Sequence, residues 1–145
     1  MTTESLSLSS FLFVYGSLRR SPNGCLHRLL QANCDFVDKA HIPGRLFCLG
    51  DYPGGIFDYF GPNDLIHGEV YHLKQPNLTL DVLDDYEECL PQHPQPHEYL
   101  RLLKSITLNQ GEMIEAWLYA YNRSIDGLTR INCGDYQTYK NNNHD

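Results

Sequence analysis

The order of structural signals along this chain predicts an α+β fold, or a small β-barrel with helices laid against it. Three observations carry that expectation. At least five strand-like and two helical segments follow one another in mixed order, without a regular strand–helix–strand repeat. The 145 residues are the length of one domain, and a chain of this size buries roughly 68–70% of its unfolded surface. Ten Tyr, six Phe and one Trp supply a core that a disordered acidic chain lacks.

The elements run as follows. Residues 1–10 are Ser/Thr-rich and are expected to be mobile, as is 138–145, whose last six residues carry no apolar side chain. Residues 11–15, Phe-Leu-Phe-Val-Tyr, form a continuous apolar run of strand length, closed by Gly16-Ser17. Ser21-Pro22 is a helix start, and Leu26, Leu29 and Leu30 follow at helical spacing. Residues 44–49 read as a second strand, ending in the turn-rich 50–55. Residues 66–73 are a third strand and 77–90 a helix, followed by a loop at 91–97 that holds three prolines. In 99–108, Leu100, Leu102, Ile106 and Leu108 share one face of a strand, and Tyr99, Arg101, Leu103, Ser105 and Thr107 the other. In 113–122, Met113, Trp117, Tyr119 and Tyr121 fall on one side. No repeat or linker divides the chain, so 1–145 reads as a single domain.

Charge narrows the partners. Eleven Lys and Arg stand against eighteen Asp and Glu, a net charge of −7, and Arg19-Arg20 is the sole basic pair. That balance argues against a nucleic-acid backbone and against an anionic membrane surface. The apolar run at 11–15 is far short of a membrane span, and the polar leader lacks the basic region of a signal peptide. Five scattered cysteines fit reduced thiols in a cytoplasmic setting better than a disulfide framework. The expected partner is a small molecule or another protein.

Residues 80–90 are the most informative segment, with five carboxylates. On a helical wheel Asp84, Glu88, Asp81 and Asp85 fall at about 40°, 80°, 100° and 140° from Leu80, one solvated face. Glu87 falls at about 340°, between Leu80 and Leu83, on an apolar arc extended by Leu90, Tyr86 and Val82. A carboxyl placed there is desolvated, and its pKa rises from about 4.3 toward the 6–7 useful to a general base. The other reading of Glu87 is a structural ion pair, with Arg101 the candidate partner.

The second segment is Tyr15-Gly16-Ser17-Leu18. A strand runs into a turn just before a helix start, where successive N–H groups can cradle an anion. The plainer reading is an ordinary turn.

Six motifs occur in order: Tyr15-Gly16-Ser17-Leu18, Gly50-Asp51-Tyr52-Pro53-Gly54, His67-Gly68-Glu69-Val70-Tyr71, Leu83-Asp84-Asp85-Tyr86-Glu87, Tyr99-Leu100-Arg101 and Trp117-Leu118-Tyr119-Ala120-Tyr121. With them, residues 11–136 resemble the gamma-glutamylcyclotransferase-like family. The segment from 124 to 136 looks most like its small bacterial branch. The resemblance implies a mixed-topology β-barrel of about five to seven strands flanked by helices, with a pocket between the 15–18 loop and the acid-bearing helix.

It also implies an activity. The α-amine of a γ-glutamyl amine or peptide attacks its own γ-carbonyl, releasing 5-oxoproline and the free amine. Such an enzyme, of acyltransferase or lyase type, belongs to glutathione or γ-glutamyl-amine metabolism. Glu87 is the general acid/base, and the N–H groups of Gly16, Ser17 and Leu18 receive the oxyanion and the substrate carboxylate. Tyr15, Tyr119 and Tyr121 either line the pocket or belong to the core. No cofactor or metal is expected, and the protein is a monomer or a small homo-oligomer. The alternative is a catalytically idle module on the same fold, binding a small molecule or a protein. Two features depart from active relatives: Glu88 stands where Gly is common, and the connection 89–98 is long and rich in Pro and His.

Other chemistry finds less support. His93 and His97 have zinc-like spacing, but Pro94 and Pro96 forbid the helix and nothing completes a ligand set. Cys25, near His27, is the local thiol candidate, and a core or surface thiol is the plainer reading. Gly16–Arg19 lacks the second Gly and the Lys of a phosphate loop.

Overall fold

The computed structural model describes residues 9–16, 32–87 and 89–142. The continuous apolar run near the start becomes β1 (Phe11–Val14), followed by β2 (Cys34–Pro43), β3 (Arg45–Cys48), β4 (Pro53–Ile56) and β5 (Leu65–Leu73). Then come α1 (Pro76–Tyr86), β6 (Tyr99–Leu108), β7 (Met113–Tyr121), β8 (Thr129–Ile131) and α2 (Tyr136–Asn142). Five strands close a barrel in the order β1-β5-β2-β6-β7, and β4-β3-β8 form a second, antiparallel sheet. The barrel is mixed because β1 runs antiparallel to β5 but parallel to β7, where Leu12 faces Trp117. The α+β barrel expected from the element order is the architecture observed.

Burial on both faces explains the unbroken apolar run of β1. Phe13 joins Ala40, Ile42, Ile66, Val70, Ile106 and Leu118 in one buried cluster. Leu12 and Val14 point the other way, to Tyr71, Leu73, Tyr99, Tyr119 and the α1 residues Leu80 and Leu83. A strand covered on both faces has no reason to alternate. β5 meets β1 so closely at Gly68 that a Cβ there would run into the Val14 carbonyl oxygen and the Phe13 ring. Backbone cannot yield as a flexible side chain can. Gly68→Ala should therefore cost about 1–3 kcal/mol, read as a lower midpoint of thermal unfolding.

Several expectations need correction. β2 was not foreseen: its pattern carries Asp35, Asp38, Lys39 and His41, a bulge breaks its register between Phe36 and Asp38, and few of its residues are buried. β4 begins inside the 50–55 segment expected to be a turn and runs one residue past it, and β8 was also missed. In β6, Leu102, Ile106 and Leu108 share the barrel cluster, but Leu100 is exposed while Tyr99 is buried beneath α1. The helix expected over 77–90 stops at Tyr86.

Both ends are tied where they are described. The Trp117 indole N–H donates to the Ser9 carbonyl oxygen at 2.8 Å and the Leu73 N–H to that of Ser10 at 2.7 Å. The expected fraying end is helical through Asn142, anchored by the buried Tyr136, whose hydroxyl donates to the Asp51 carbonyl oxygen at 2.9 Å. The helix expected from Ser21, with Cys25 and His27, lies outside the described residues.

Candidate active site

β1 delivers Tyr15 and Gly16 to one end of the barrel. The Tyr15 hydroxyl donates to the Tyr119 carbonyl oxygen at 2.6 Å and accepts the Gly55 N–H at 3.0 Å, so it stitches β4 to β7. Gly16 lies against Pro53, where a Cβ would come within 2.8 Å of the proline ring. That contact lets the chain cross the barrel mouth close to the second sheet. Ser17 and Leu18, the other two candidate donors, lie outside the described residues.

The opposite wall is the end of α1. Glu87 is the first residue past the helix, with φ −82° and ψ 0°, and its N–H still donates to the Leu83 carbonyl oxygen at 2.8 Å. Its direction therefore continues the helical sense even though the helix has stopped. The buried residues of α1 are Thr79, Leu80, Leu83 and Asp84. They centre the inward face at about 330° on the same wheel, within about 10° of Glu87. Val82 and Tyr86 fall outside that arc and are exposed, against expectation.

Between these walls lies a cavity of about 280 Å3. Phe13, Val14, Tyr15 and Gly16 line it from the β1 side, and Tyr86 and Glu87 from α1. Tyr52, Pro53, Glu98, Tyr99 and Tyr119 complete the wall. Burial pushes the Glu87 carboxyl up to about 7, and the charges of Glu98 and then Asp84 add to it. Among the described residues no cation pairs with Glu87.

The cation proposed for that role is engaged elsewhere. The Arg101 Nε donates to Asp84 Oδ1 at 2.8 Å, and the Tyr119 hydroxyl donates to the same oxygen at 2.6 Å. The Arg101 guanidinium also lies over the Trp117 ring, 4.3 Å from its centre. Asp84, placed on the solvated face by the wheel, is in fact buried. Its angle of about 40° is the edge of the inward face, and the pair on β6 and β7 draws it in. Among the four described acids of the run, two therefore turn inward: Asp84 holds the scaffold, and Glu87 is left to the cavity.

The tyrosines divide similarly. Tyr15 and Tyr119 line the cavity, but both hydroxyls donate to protein acceptors. Tyr121 does not line it; its ring stands edge-on to Tyr99 at 5.9 Å and fills the space over Gly54. Tyr52, Tyr86, Tyr99 and Glu98 were not foreseen as site residues. Tyr52, Tyr86 and Tyr99 sit inside three of the six motifs, which was the available signal, whereas nothing local marks Glu98. His93 and His97 do not converge: the first contacts Asp85 at 3.2 Å and the second Gln95 at 3.0 Å. Among the described residues no three His, Cys, Asp or Glu side chains are grouped to hold a metal ion, and no helix is long and apolar enough to cross a membrane.

The closed mixed barrel thus carries a cavity at its mouth lined by two carboxyls, Glu87 and Glu98, and by no cationic side chain among the described residues. The chain belongs to the gamma-glutamyl cyclotransferase, AIG2-like family, whose family model matches residues 12–138. It is 33% identical over 132 residues to the gamma-glutamylcyclotransferase family protein YtfP of Escherichia coli, covering 86% of this chain and 94% of that protein. A Methanocaldococcus jannaschii protein, also named for gamma-glutamylcyclotransferase, is 34% identical over 133 residues, covering 90% of this chain and 98% of its own. The solution structure of the Escherichia coli protein superposes with a TM-score of 0.61 at 31% identity, over 90% of this chain and 98% of that one.

Proposed function

We propose that this chain cyclises γ-glutamyl amines or peptides, releasing 5-oxoproline and the free amine, with Glu87 as general acid/base. The observation that carries the proposal is the Glu87 carboxyl, partly buried in the cavity and raised to about 7 with no counter-ion among the described residues. Family membership supports the reaction class.

The nucleophile is already tethered to the electrophile, so the protein's first task is to hold a near-attack geometry. The Glu87 carboxylate takes a proton from the substrate α-ammonium. The freed amine lone pair then forms a bond to the γ-carbon, closing a five-membered ring and placing the electron pair on the carbonyl oxygen. The N–H of Gly16, with those of Ser17 and Leu18, is proposed to donate hydrogen bonds to that oxyanion. As the tetrahedral species collapses, the bond to the leaving nitrogen breaks and Glu87 returns its proton there; the second proton of the ring nitrogen then passes through the Glu87 carboxylate to the departing amine, which leaves as an ammonium and leaves a neutral lactam. Atoms and charges balance without a covalent intermediate on the protein or a cofactor.

A base near 7 dictates the pH profile. The free enzyme's Glu87 must be ionised, so kcat/KM should fall as pH drops through about 7, with one inflection there. Incubation with a panel of γ-glutamyl amines and peptides, with 5-oxoproline and the leaving amine identified by mass spectrometry, tests the reaction. No 5-oxoproline from any member would overturn catalysis and leave the idle binding module.

A further inference from the structure

We propose that Glu98 selects substrates whose leaving amine carries a second, cationic nitrogen. The inference rests on reading the cavity as a γ-glutamyl site, and it assigns the part of the cavity that the cyclisation itself does not use.

Glu98 lines the cavity where the 89–98 loop enters β6. It is a positioned carboxylate. Its Oε2 accepts the Tyr52 hydroxyl at 2.8 Å. Its carbonyl oxygen accepts the Asn122 N–H at 2.7 Å, and the Asn122 amide donates to the preceding His97 carbonyl oxygen at 2.9 Å. The backbone under Glu98 is thus pinned to the end of β7, and the side chain is pinned to the loop before β4.

The charge balance gives this carboxylate its meaning. Glu87 and Glu98 share the lining, and among the described residues no Lys, Arg or His lines the cavity. Arg101 is taken by Asp84, and Arg123 donates to the Pro96 carbonyl oxygen outside the lining, although its charge is felt at Tyr52. Glu87 cycles its proton between the two nitrogens of the reaction, whereas Glu98 is held by Tyr52 and takes no step in the cyclisation. A fixed negative charge beside the reacting atoms repels a leaving group that bears a carboxylate. It attracts one that bears an ammonium. The Tyr52 and Tyr99 rings, 6.4 Å apart, add aromatic faces that favour a cation. A volume of about 280 Å3 is small for a ligand site and suits a short diamine better than a long peptide.

The test compares γ-glutamyl conjugates of 1,4-diaminobutane and n-pentylamine, alike in length but differing in a terminal ammonium or methyl. Calorimetry on the Glu87→Gln protein measures binding without turnover. The diamine conjugate should bind about 5–10-fold more tightly, the worth of a partly desolvated charge pair with an aromatic contact. Adding Glu98→Gln should bring the ratio near one. Raising the ionic strength on the Glu87→Gln protein should shrink it as well, a second measurement that needs no further variant. Equal affinities, or a preference that survives loss of Glu98, would overturn the inference. Wild-type turnover is read separately. Selective binding without 5-oxoproline supports the assignment of Glu98 and overturns the catalytic reading. Turnover of both conjugates without binding preference overturns the assignment alone. Failure of both conjugates to bind overturns both readings.

Discussion

Glu87→Gln should lower kcat/KM for 5-oxoproline release by about 10²–10⁴-fold, the usual worth of a positioned acid/base, and make the protein more stable at pH 8. The two effects share one cause. Burial, reinforced by Glu98 and Asp84, raises the carboxyl from 4.5 in the unfolded chain to about 7 in the fold. The folded state therefore holds the proton more tightly than the unfolded one. Stability tied to this group is fully present below about 4.5 and is lost as pH rises through about 7. The lost amount is of order 1–3 kcal/mol, allowing for partial exposure. Gln keeps the shape and never ionises. The thermal midpoints of the two proteins should coincide near pH 4 and separate above pH 7, the variant higher. Parallel curves across that range would mean that Glu87 is not desolvated. A variant that still releases 5-oxoproline at the wild-type rate would remove it from the chemistry.

Asp84→Ala is expected to be the most destabilising single change in the α1 region. It removes the acceptor shared by Arg101 and Tyr119 and strands a guanidinium at a partly buried position, where the side chains of Arg101 and Asp84 are 25% and 10% exposed. Removing one member of such a pair costs about 3–5 kcal/mol, or roughly 10 °C in the thermal midpoint for a chain of this length. Asp84→Asn should cost less, because an amide oxygen still accepts one of the two hydrogen bonds. Replacing Asp84 by Leu and Arg101 by Met together should recover much of the loss, since neither charge is then left alone. A loss near zero for Asp84→Ala, by chemical denaturation at neutral pH, would show that the pair is solvated.

The contrast between these two acids, three residues apart, shows where sequence reasoning reaches its limit. Glu87 was readable twice over, from its place between Leu80 and Leu83 on the wheel and from the Leu-Asp-Asp-Tyr-Glu motif. Both depend on local order alone. Gly16 was readable for the same reason, as the turn that closes an apolar run. The barrel was legible in outline, because the apolar runs of β1 and β5 and the alternation in β7 are local periods. β2 was invisible because its outer face is charged, and β4 because a Pro-Gly-Gly-Ile strand has the composition of a turn.

Chain order thus aims a side chain, but it does not say what will lie opposite. Arg101 is seventeen residues from Asp84 and Tyr119 thirty-five, and they reach the same oxygen because β6 and β7 pair in register beneath α1. Tyr52 is forty-six residues from the Glu98 that it holds. Closure of the barrel decided which carboxylate received a counter-ion and which was left facing the cavity. Helical periodicity sets a direction within one element, whereas a shifted pKa needs the partners that only packing between elements supplies.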